Sequence, residues 1–145
     1  MKKMILTLAI AISSLTVFAG EADVNKKVLN AFKTEFTTAR DVEWSVGSDY
    51  YKASFIYNDK YVFAFYNQDG DLLGLTRYIS TADLPLNLQI DLKKNSKGYW
   101  VSDLFEVAKN RTTYYYITIE NANTKLILKS TGGSDWEEFK SVKKI

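Results

Sequence analysis

The chain has 145 residues, with 19 basic and 17 acidic side chains, and it contains no histidine and no cysteine. The missing residues exclude Ser-His-Asp and Cys-His nucleophilic catalysis, as well as His/Cys zinc and copper sites. The nearly balanced charge argues against a nucleic-acid partner, because binding to a phosphate backbone needs a clustered positive field.

The first nineteen residues have the layout of a secretory signal peptide. Lys2 and Lys3 precede an almost wholly apolar run, and small residues stand three and one positions before a cut after Ala19. The run is shorter than the roughly 20 residues that a spanning helix needs, which disfavours a membrane anchor. We therefore predict a signal peptide over 1–19 and an exported mature chain, 20–145, without a transmembrane span, in the periplasm or the medium.

The mature chain has the size and composition of one domain. Cleavage would remove two lysines and leave 17 basic and 17 acidic residues in 126 positions. This length suffices to bury a core without disulfides, which the chain cannot form. Ten tyrosines, three tryptophans and seven of the chain's eight phenylalanines supply apolar volume for that core.

The first mature segment has the periodicity of an amphipathic helix. Apolar side chains recur every four residues at Val24, Val28, Phe32 and Phe36. Lysines lie off this stripe, so the pattern predicts a helix over about 23–38 that packs its apolar stripe in the core, with Asp23 as its N-cap.

From Val42 the period changes to two, which predicts strands. Two runs in which the side chains alternate with a period of two lie on either side of Asn58-Asp59. This pair is typical of a tight hairpin turn. A two-residue loop places Phe55 opposite Val62, whereas a three-residue loop places it opposite Phe63. One step of slip exchanges the two faces of the strand, so the sequence leaves open which aromatic side chains meet the helices. Another turn over 67–70 leads to a strand over 72–79.

A second helix is predicted after Asp83, which would cap it, with Pro85 in its first turn. Its leucines and Ile90 alternate as in a strand, but Leu84, Leu88 and Leu92 also form a helical stripe. The proline and the following glutamine and lysines favour the helix.

Four strands follow, over 99–108, 112–120, 124–130 and, at the edge, 136–142. The chain thus has two similar halves, about 20–80 and 81–145, each a helix followed by a meander. This order predicts an α+β fold, a tandem repeat with one curved antiparallel sheet of about seven to eight strands and two helices packed on one face. The opposite face would be open to water or to a partner.

Several motifs resemble the PepSY-like family of exported bacterial proteins, also described as β-lactamase-inhibitor-protein-like (BLIP-like). They are the run from Phe36 through Ala39 and Val42 to Trp44, the strand Tyr51-x-Ala53-x-Phe55, the segment Ala64-x-Tyr66-Asn67-x-Asp69-Gly70, and Leu84-Pro85. The resemblance covers nearly all of the mature chain and implies a tandem α/β repeat with a curved antiparallel sheet. It does not imply inhibition, because the inhibitor's disulfides and inhibitory loops have no counterpart here.

The composition and this resemblance together favour a non-enzymatic binding module without a cofactor or metal. Asp69 and Asp71 flank a turn glycine and are interpreted as solvated turn residues rather than as an acid/base pair. Tyrosines on strands are suited to recognition, although any one of them can equally pack in the core. The candidate protein-binding residues on the open face are Lys52, Tyr66, Tyr114 and Tyr116.

The expected partner is an envelope or secreted protein, which the module would inhibit or regulate. The alternative is a small-ligand or envelope carbohydrate-binding protein in which aromatic rings stack on sugar faces. The sequence predicts a monomer or a weak dimer, since an unpaired edge strand can pair with a second copy.

Overall fold

The computed structural model of the chain describes residues 17–133 and 135–145. The predicted signal-peptide residues 1–16 lie outside the described residues. Nine antiparallel strands form one open sheet in which spatial order follows chain order. The strands are β1 Val17–Ala19, β2 Arg40–Val46, β3 Tyr51–Tyr57, β4 Lys60–Tyr66, β5 Leu72–Tyr78, β6 Trp100–Lys109, β7 Thr112–Glu120, β8 Thr124–Ser130 and β9 Glu137–Lys143. The helices are α1 Lys26–Glu35 and α2 Leu86–Asn95.

The tight turns set the register of the meander. Asn58 and Asp59 both have positive φ, 49° and 59°, which matches the twist of a two-residue hairpin turn. Phe55 therefore lies opposite Val62, the first of the two registers that the sequence left open. Asn110 and Arg111 adopt the same conformation between β6 and β7.

Both helices are present, but each begins later than the sequence predicted. The Asp23 carboxylate accepts a hydrogen bond from the Gly20 N–H at 3.1 Å and so closes a short 3-10 turn. The N-cap of α1 is instead Asn25, whose side chain accepts from the Lys27 N–H at 2.9 Å. Asp83 likewise binds Ser80, which leaves Pro85 as the N-cap of α2.

The two helices pack on the same face of the sheet and form two clusters of buried side chains. Under α1, Phe32 contacts Phe55 with 5.0 Å between ring centroids. Under α2, Leu88 packs with Ile117, and both are fully buried. The helical interpretation of the alternating leucines is thus confirmed, because Leu88 is buried whereas Leu86, which a strand would place on the same face, is exposed.

The sheet has nine strands rather than the seven to eight expected, and β1 was not predicted as a strand. It consists of three residues from the end of the predicted signal peptide, and it pairs with β2 through Val17↔Val46, Phe18↔Ser45 and Ala19↔Trp44. The leader was interpreted as an export segment, so no strand was assigned to it.

Candidate functional site: the open face of the sheet

The sheet face opposite the helices, here called the open face, has an apolar cluster of its own. The side chains of Phe65, Phe105 and Val107 are buried there although no helix covers them. Neighbouring aromatic side chains bury them: Tyr50, Phe63, Tyr114 and Tyr116, together with Leu73. The hairpin register explains this placement, since Phe63 and Phe65 alternate with Val62 and Ala64, which face α1.

Six rings on the open face form a continuous chain of contacts, here called the aromatic row. Its members, in order across the sheet, are Tyr61, Phe63, Tyr78, Phe105, Tyr116 and Phe139. Successive ring centroids are 5.3, 5.9, 6.4, 5.4 and 5.6 Å apart. These separations lie within the range of favourable aromatic pairs. Because β4, β5, β6, β7 and β9 each contribute, the row crosses the strands rather than following one of them.

The row combines buried and accessible rings. Phe105 is 7% exposed and stacks on Tyr116 with 12° between the ring planes. Tyr61, Tyr78 and Phe139 are 48%, 51% and 36% exposed. The accessible rings are the ones that a partner could cover, and tyrosine is among the residues that contribute most to binding at interfaces.

Two lysines lie over rings of the open face. Lys52 Nζ is 5.0 Å from the centroid of Phe63, and burial lowers the pKa of this lysine. Lys129 Nζ lies 4.7 Å from the ring of Tyr114 and 5.7 Å from that of Tyr116. These are cation–π distances, and they hold positive charge beside the aromatic row.

One carboxylate lies close to the row. Burial raises the pKa of Asp103, although a backbone hydrogen bond at Leu104 and the charge of Lys125 act in the opposite direction. Burial also raises the pKa of the Tyr78 phenol, and the charge of Asp103 adds to that effect. Tyr78 therefore stays a neutral hydroxyl at physiological pH, able to donate and accept hydrogen bonds at the middle of the row.

The structure places three of the four predicted contact residues on the open face: Lys52, Tyr114 and Tyr116. The assignment of Tyr66 to this face is wrong. Tyr66 lies directly opposite Tyr51 on the helix side and is fully buried under α1. Its hydroxyl donates to Glu35 Oε2 at 3.2 Å, and burial, followed by the Glu35 charge, raises its pKa far above the ordinary value.

Sequence reasoning missed Phe63, Tyr78, Phe105, Phe139 and Lys129 as members of this surface. The pattern that could have found the first of them is the alternation along β4. Once Asn58-Asp59 is accepted as a two-residue loop, Lys52 and Phe63 must share a face, and Tyr66 must lie on the other. Phe139 could not have been placed, because it lies at a register shift between β8 and β9.

The described part of the chain contains no group of three or more acidic side chains positioned to hold a metal ion. Within residues 17–133 and 135–145, no helix is long and apolar enough to cross a membrane.

Known structures share this architecture. A BLIP-like protein from Bacteroides fragilis superimposes with a TM-score of 0.74 at 17% identity, over 84% of this chain and 89% of the other. A DUF2874 family protein from Bacteroides uniformis gives 0.73 at 18% identity, over 83% and 89% of the two chains. The chain has a BLIP-like fold. A predicted periplasmic protein from Bacteroides eggerthii gives 0.72 at 16% identity, over 83% and 88%.

No protein-family model matches the chain, and no curated protein sequence matches it. At identities of 16–18%, the structural likeness concerns the fold alone. The BLIP-like part of the sequence resemblance is therefore supported at the level of the fold, whereas its PepSY-like part stays a prediction.

Proposed function

We propose that this protein is an exported, non-enzymatic module that binds another protein of the cell envelope or medium through the open face. The observation that carries the proposal is the aromatic row, a chain of ring contacts from five strands that no helix of the described chain covers. It leaves the rings of Tyr61, Tyr78 and Phe139 accessible. Accessible apolar side chains grouped on one face are typical of interaction sites. Export is supported by the leader pattern and by the BLIP-like and predicted periplasmic proteins that share the fold.

The chemistry of the face indicates the chemistry of the partner. An apolar protrusion would fit against the accessible rings of Tyr61 and Tyr78, and tyrosine hydroxyls would satisfy polar groups at its margin. Lys52 and Lys129 lie beside the row, so acidic side chains on the partner would be attracted to it. A partner with an apolar centre and an acidic rim is therefore the best match, and inhibition or regulation of an envelope enzyme is the proposed consequence.

The experiment is an affinity capture from the envelope fraction of the source organism, with mass spectrometry as readout. The test variant is the double substitution Tyr61→Ala/Tyr78→Ala. The matched control is Leu86→Ala/Ile90→Ala, since these two apolar side chains are similarly exposed, at 71% and 50%, but lie on α2.

A specific partner should bind the control like the unmodified protein and the double tyrosine variant at least about tenfold more weakly, because interface aromatic residues often contribute more than 1 kcal/mol each. Melting temperatures of both variants should stay within a few degrees of the parent. Equal partner binding by both variants, or loss of binding in the α2 variant alone, would contradict the proposal.

A carbohydrate ligand is the second candidate, favoured by the half-exposed rings of Tyr61 and Tyr78, on which a sugar can stack. In a tryptophan fluorescence titration Trp100, at 53% exposure, is the accessible reporter, because Trp44 is buried on the helix side and Trp136 packs against α2. A glycan array followed by calorimetry is the suitable test. Saturable sugar binding that is lost in the double tyrosine variant, without any captured protein, would support this candidate over the first.

We also infer that the two halves of the chain are copies of one unit. Each helix has ten residues and follows a 3-10 turn of three residues, and the helices begin 60 positions apart, at Lys26 and Leu86. Asn25 donates to the Gln68 carbonyl, and Asn87 donates to the Gly132 carbonyl, so each helix start is tied to the corresponding loop of its own half. Duplication of one helix-plus-meander unit would produce this equal spacing and the attachment of each helix start to its own loop, with Asn87 two positions further into its helix than Asn25.

A further inference from the structure

The outer edge of β2 is covered by a strand that signal-peptide cleavage would remove. Residues 17–19 pair with Trp44, Ser45 and Val46, and all three lie before the predicted cut after Ala19. In the processed protein, this stretch of β2 would lack a neighbour on that side. A row of unpaired main-chain groups is a template for strand addition.

The pairing of β2 with β3 determines which main-chain N–H and C=O groups of β2 face the outer edge. The Gly47 N–H donates to the Tyr50 carbonyl at 2.9 Å, so Gly47 points toward β3. Main-chain groups alternate in direction along a strand. Ser45 therefore bonds toward β3, whereas Trp44 and Val46 present their N–H and C=O groups to the outer edge, opposite Ala19 and Val17.

The available edge is short. The start of β2 is disrupted by a register shift between Arg40 and Glu43, where Asp41 has a φ of +52°. Irregular backbone and charge are the usual means by which edge strands avoid pairing. The regular stretch runs from Glu43 to Val46, of which 44–46 pair with the leader strand, and this length suits a short extended segment better than a second sheet.

Ser45 indicates which side chain a strand at this edge should carry, because it is buried while the leader strand covers it. The residue is 6% exposed, and its Oγ has no hydrogen-bond partner among the described residues. It lines a cleft on the open face together with Phe18, Tyr61, Lys52 and others. Phe18 lies directly opposite Ser45 but is 82% exposed and offers no side-chain polar atom. Whenever a strand covers this edge and buries Ser45, a hydroxyl without a partner costs free energy, which a polar side chain opposite Ser45 would recover.

We infer that the processed protein binds an extended polypeptide segment of its partner along Trp44–Val46, in the antiparallel register of the leader strand, with a hydroxyl or amide side chain opposite Ser45. This inference rests on cleavage after Ala19 and adds to the proposed open-face interaction a second contact, at the edge of the same sheet. Cross-strand Thr–Ser pairs are among the favourable pairs in sheets.

The test uses the exported and processed protein, with its N-terminus established by intact mass, and amidated synthetic peptides of residues 13–19. One peptide carries the natural sequence and a second carries Phe18→Thr. Three further copies of the threonine peptide are N-methylated at position 17, 18 or 19. Binding is measured by fluorescence anisotropy, and the contact is located from the amide shifts of residues 44–46.

The threonine peptide should bind about tenfold more tightly than the phenylalanine peptide, the value of one net hydrogen bond, and Ser45→Ala should abolish that difference. N-methylation at 17 or 19 should weaken binding about tenfold or more, while methylation at 18 should have little effect, because that N–H points away from β2. Val46→Pro should prevent binding, since it removes an edge donor without touching the bonds to β3, and Val46→Ala is the matched control.

The inference would be overturned if the exported protein retained the leader, or if no peptide bound saturably at millimolar concentration. It would also be overturned if the three N-methylated peptides bound with the same affinity. A dimer that Val46→Pro dissociates would show that the edge pairs with a second copy instead. The variant Tyr78→Ala separates this site from the aromatic row, because Tyr78 does not line the Ser45 cleft, whereas Tyr61 does. It should leave the effect of N-methylation unchanged even if the open face binds no protein.

Discussion

Tyr66 and Tyr114 provide the most direct test of how the two faces are assigned. Sequence reasoning assigns both residues the same role, whereas the structure buries Tyr66 completely under α1 and leaves Tyr114 partly exposed on the open face. Removal of a fully buried aromatic side chain costs about 3–5 kcal/mol, so Tyr66→Ala should lower the free energy of unfolding by about 4 kcal/mol. In a domain of this size, that corresponds to a fall in Tm of about 12–16 °C.

The cost of Tyr114→Ala should be much smaller. The substitution removes a partly buried ring and its cation–π contact with Lys129 at 4.7 Å. Such a contact stabilises by about 0.5–1 kcal/mol at an exposed site. The total expected is about 1–2 kcal/mol. Tyr66→Phe is a finer perturbation, because it removes only the hydroxyl that binds the exposed Glu35, and it should cost about 0.5–1.5 kcal/mol.

Urea unfolding followed by circular dichroism measures all three values, provided that the m-value stays constant. Tyr66→Phe keeps the comparison measurable if Tyr66→Ala is too unstable to study. The face assignment would be refuted if Tyr66→Ala cost no more than Tyr114→Ala, or if Tyr66→Ala weakened partner binding at unchanged stability.

Two further predictions concern charge and backbone. The Lys144 ammonium lies 2.7 Å from the Glu120 carboxylate, and its hydrogen bond lowers the pKa of Glu120 to about 2. Since the unfolded value is about 4.3, the carboxylate stabilises the fold fully above about pH 5 and progressively less as the pH falls toward 2. The stability difference between the parent and Glu120→Gln should therefore be constant from about pH 6 to 8 and decrease steadily between about pH 5 and pH 2. Gly70 and Gly98 both have positive φ, so replacing either by alanine strains the backbone. Gly70→Ala should lower the free energy of unfolding more than Gly98→Ala, because between these two sites a Cβ would meet a backbone atom at Gly70, the Lys27 carbonyl oxygen at 2.9 Å. We expect about 1–2 kcal/mol at Gly98 from backbone strain alone, and a larger loss at Gly70.

The checks on these two predictions use the same unfolding experiment. A stability difference for Glu120→Gln that persists unchanged to about pH 2 would show that the ion pair with Lys144 is not its source. Equal losses for Gly70→Ala and Gly98→Ala would show that the loop after β4 does not approach the start of α1 as closely as the structure has it.

Much of the fold could be predicted because its elements are encoded locally. The strands Thr112–Glu120 and Thr124–Ser130 match the prediction residue for residue, since their alternation is bounded by turn residues. Helix starts were less accurate. Asp23 and Asp83 were interpreted as N-caps, but both close 3-10 turns before the helices, and a short polar side chain favours either role.

The candidate site was predicted only in part, because membership of a face depends on register. Lys52, Tyr114 and Tyr116 were placed correctly on the open face, and Tyr66 was not. A single step of register exchanges the two faces of a strand, and the loop length that decides the register was left open by the sequence.

The sequence by itself determined the α+β class, the order of helices and strands, and the exclusion of histidine and cysteine chemistry, because composition and local periodicity carry that information. Tertiary structure alone decided which aromatic side chains are buried under the helices and which line up across the open face. The six rings of the aromatic row come from positions 61 to 139, and only strand pairing brings them into contact. Strand pairing also showed that β1 covers the outer edge of β2, because the local sequence of a strand does not specify which strand lies beside it.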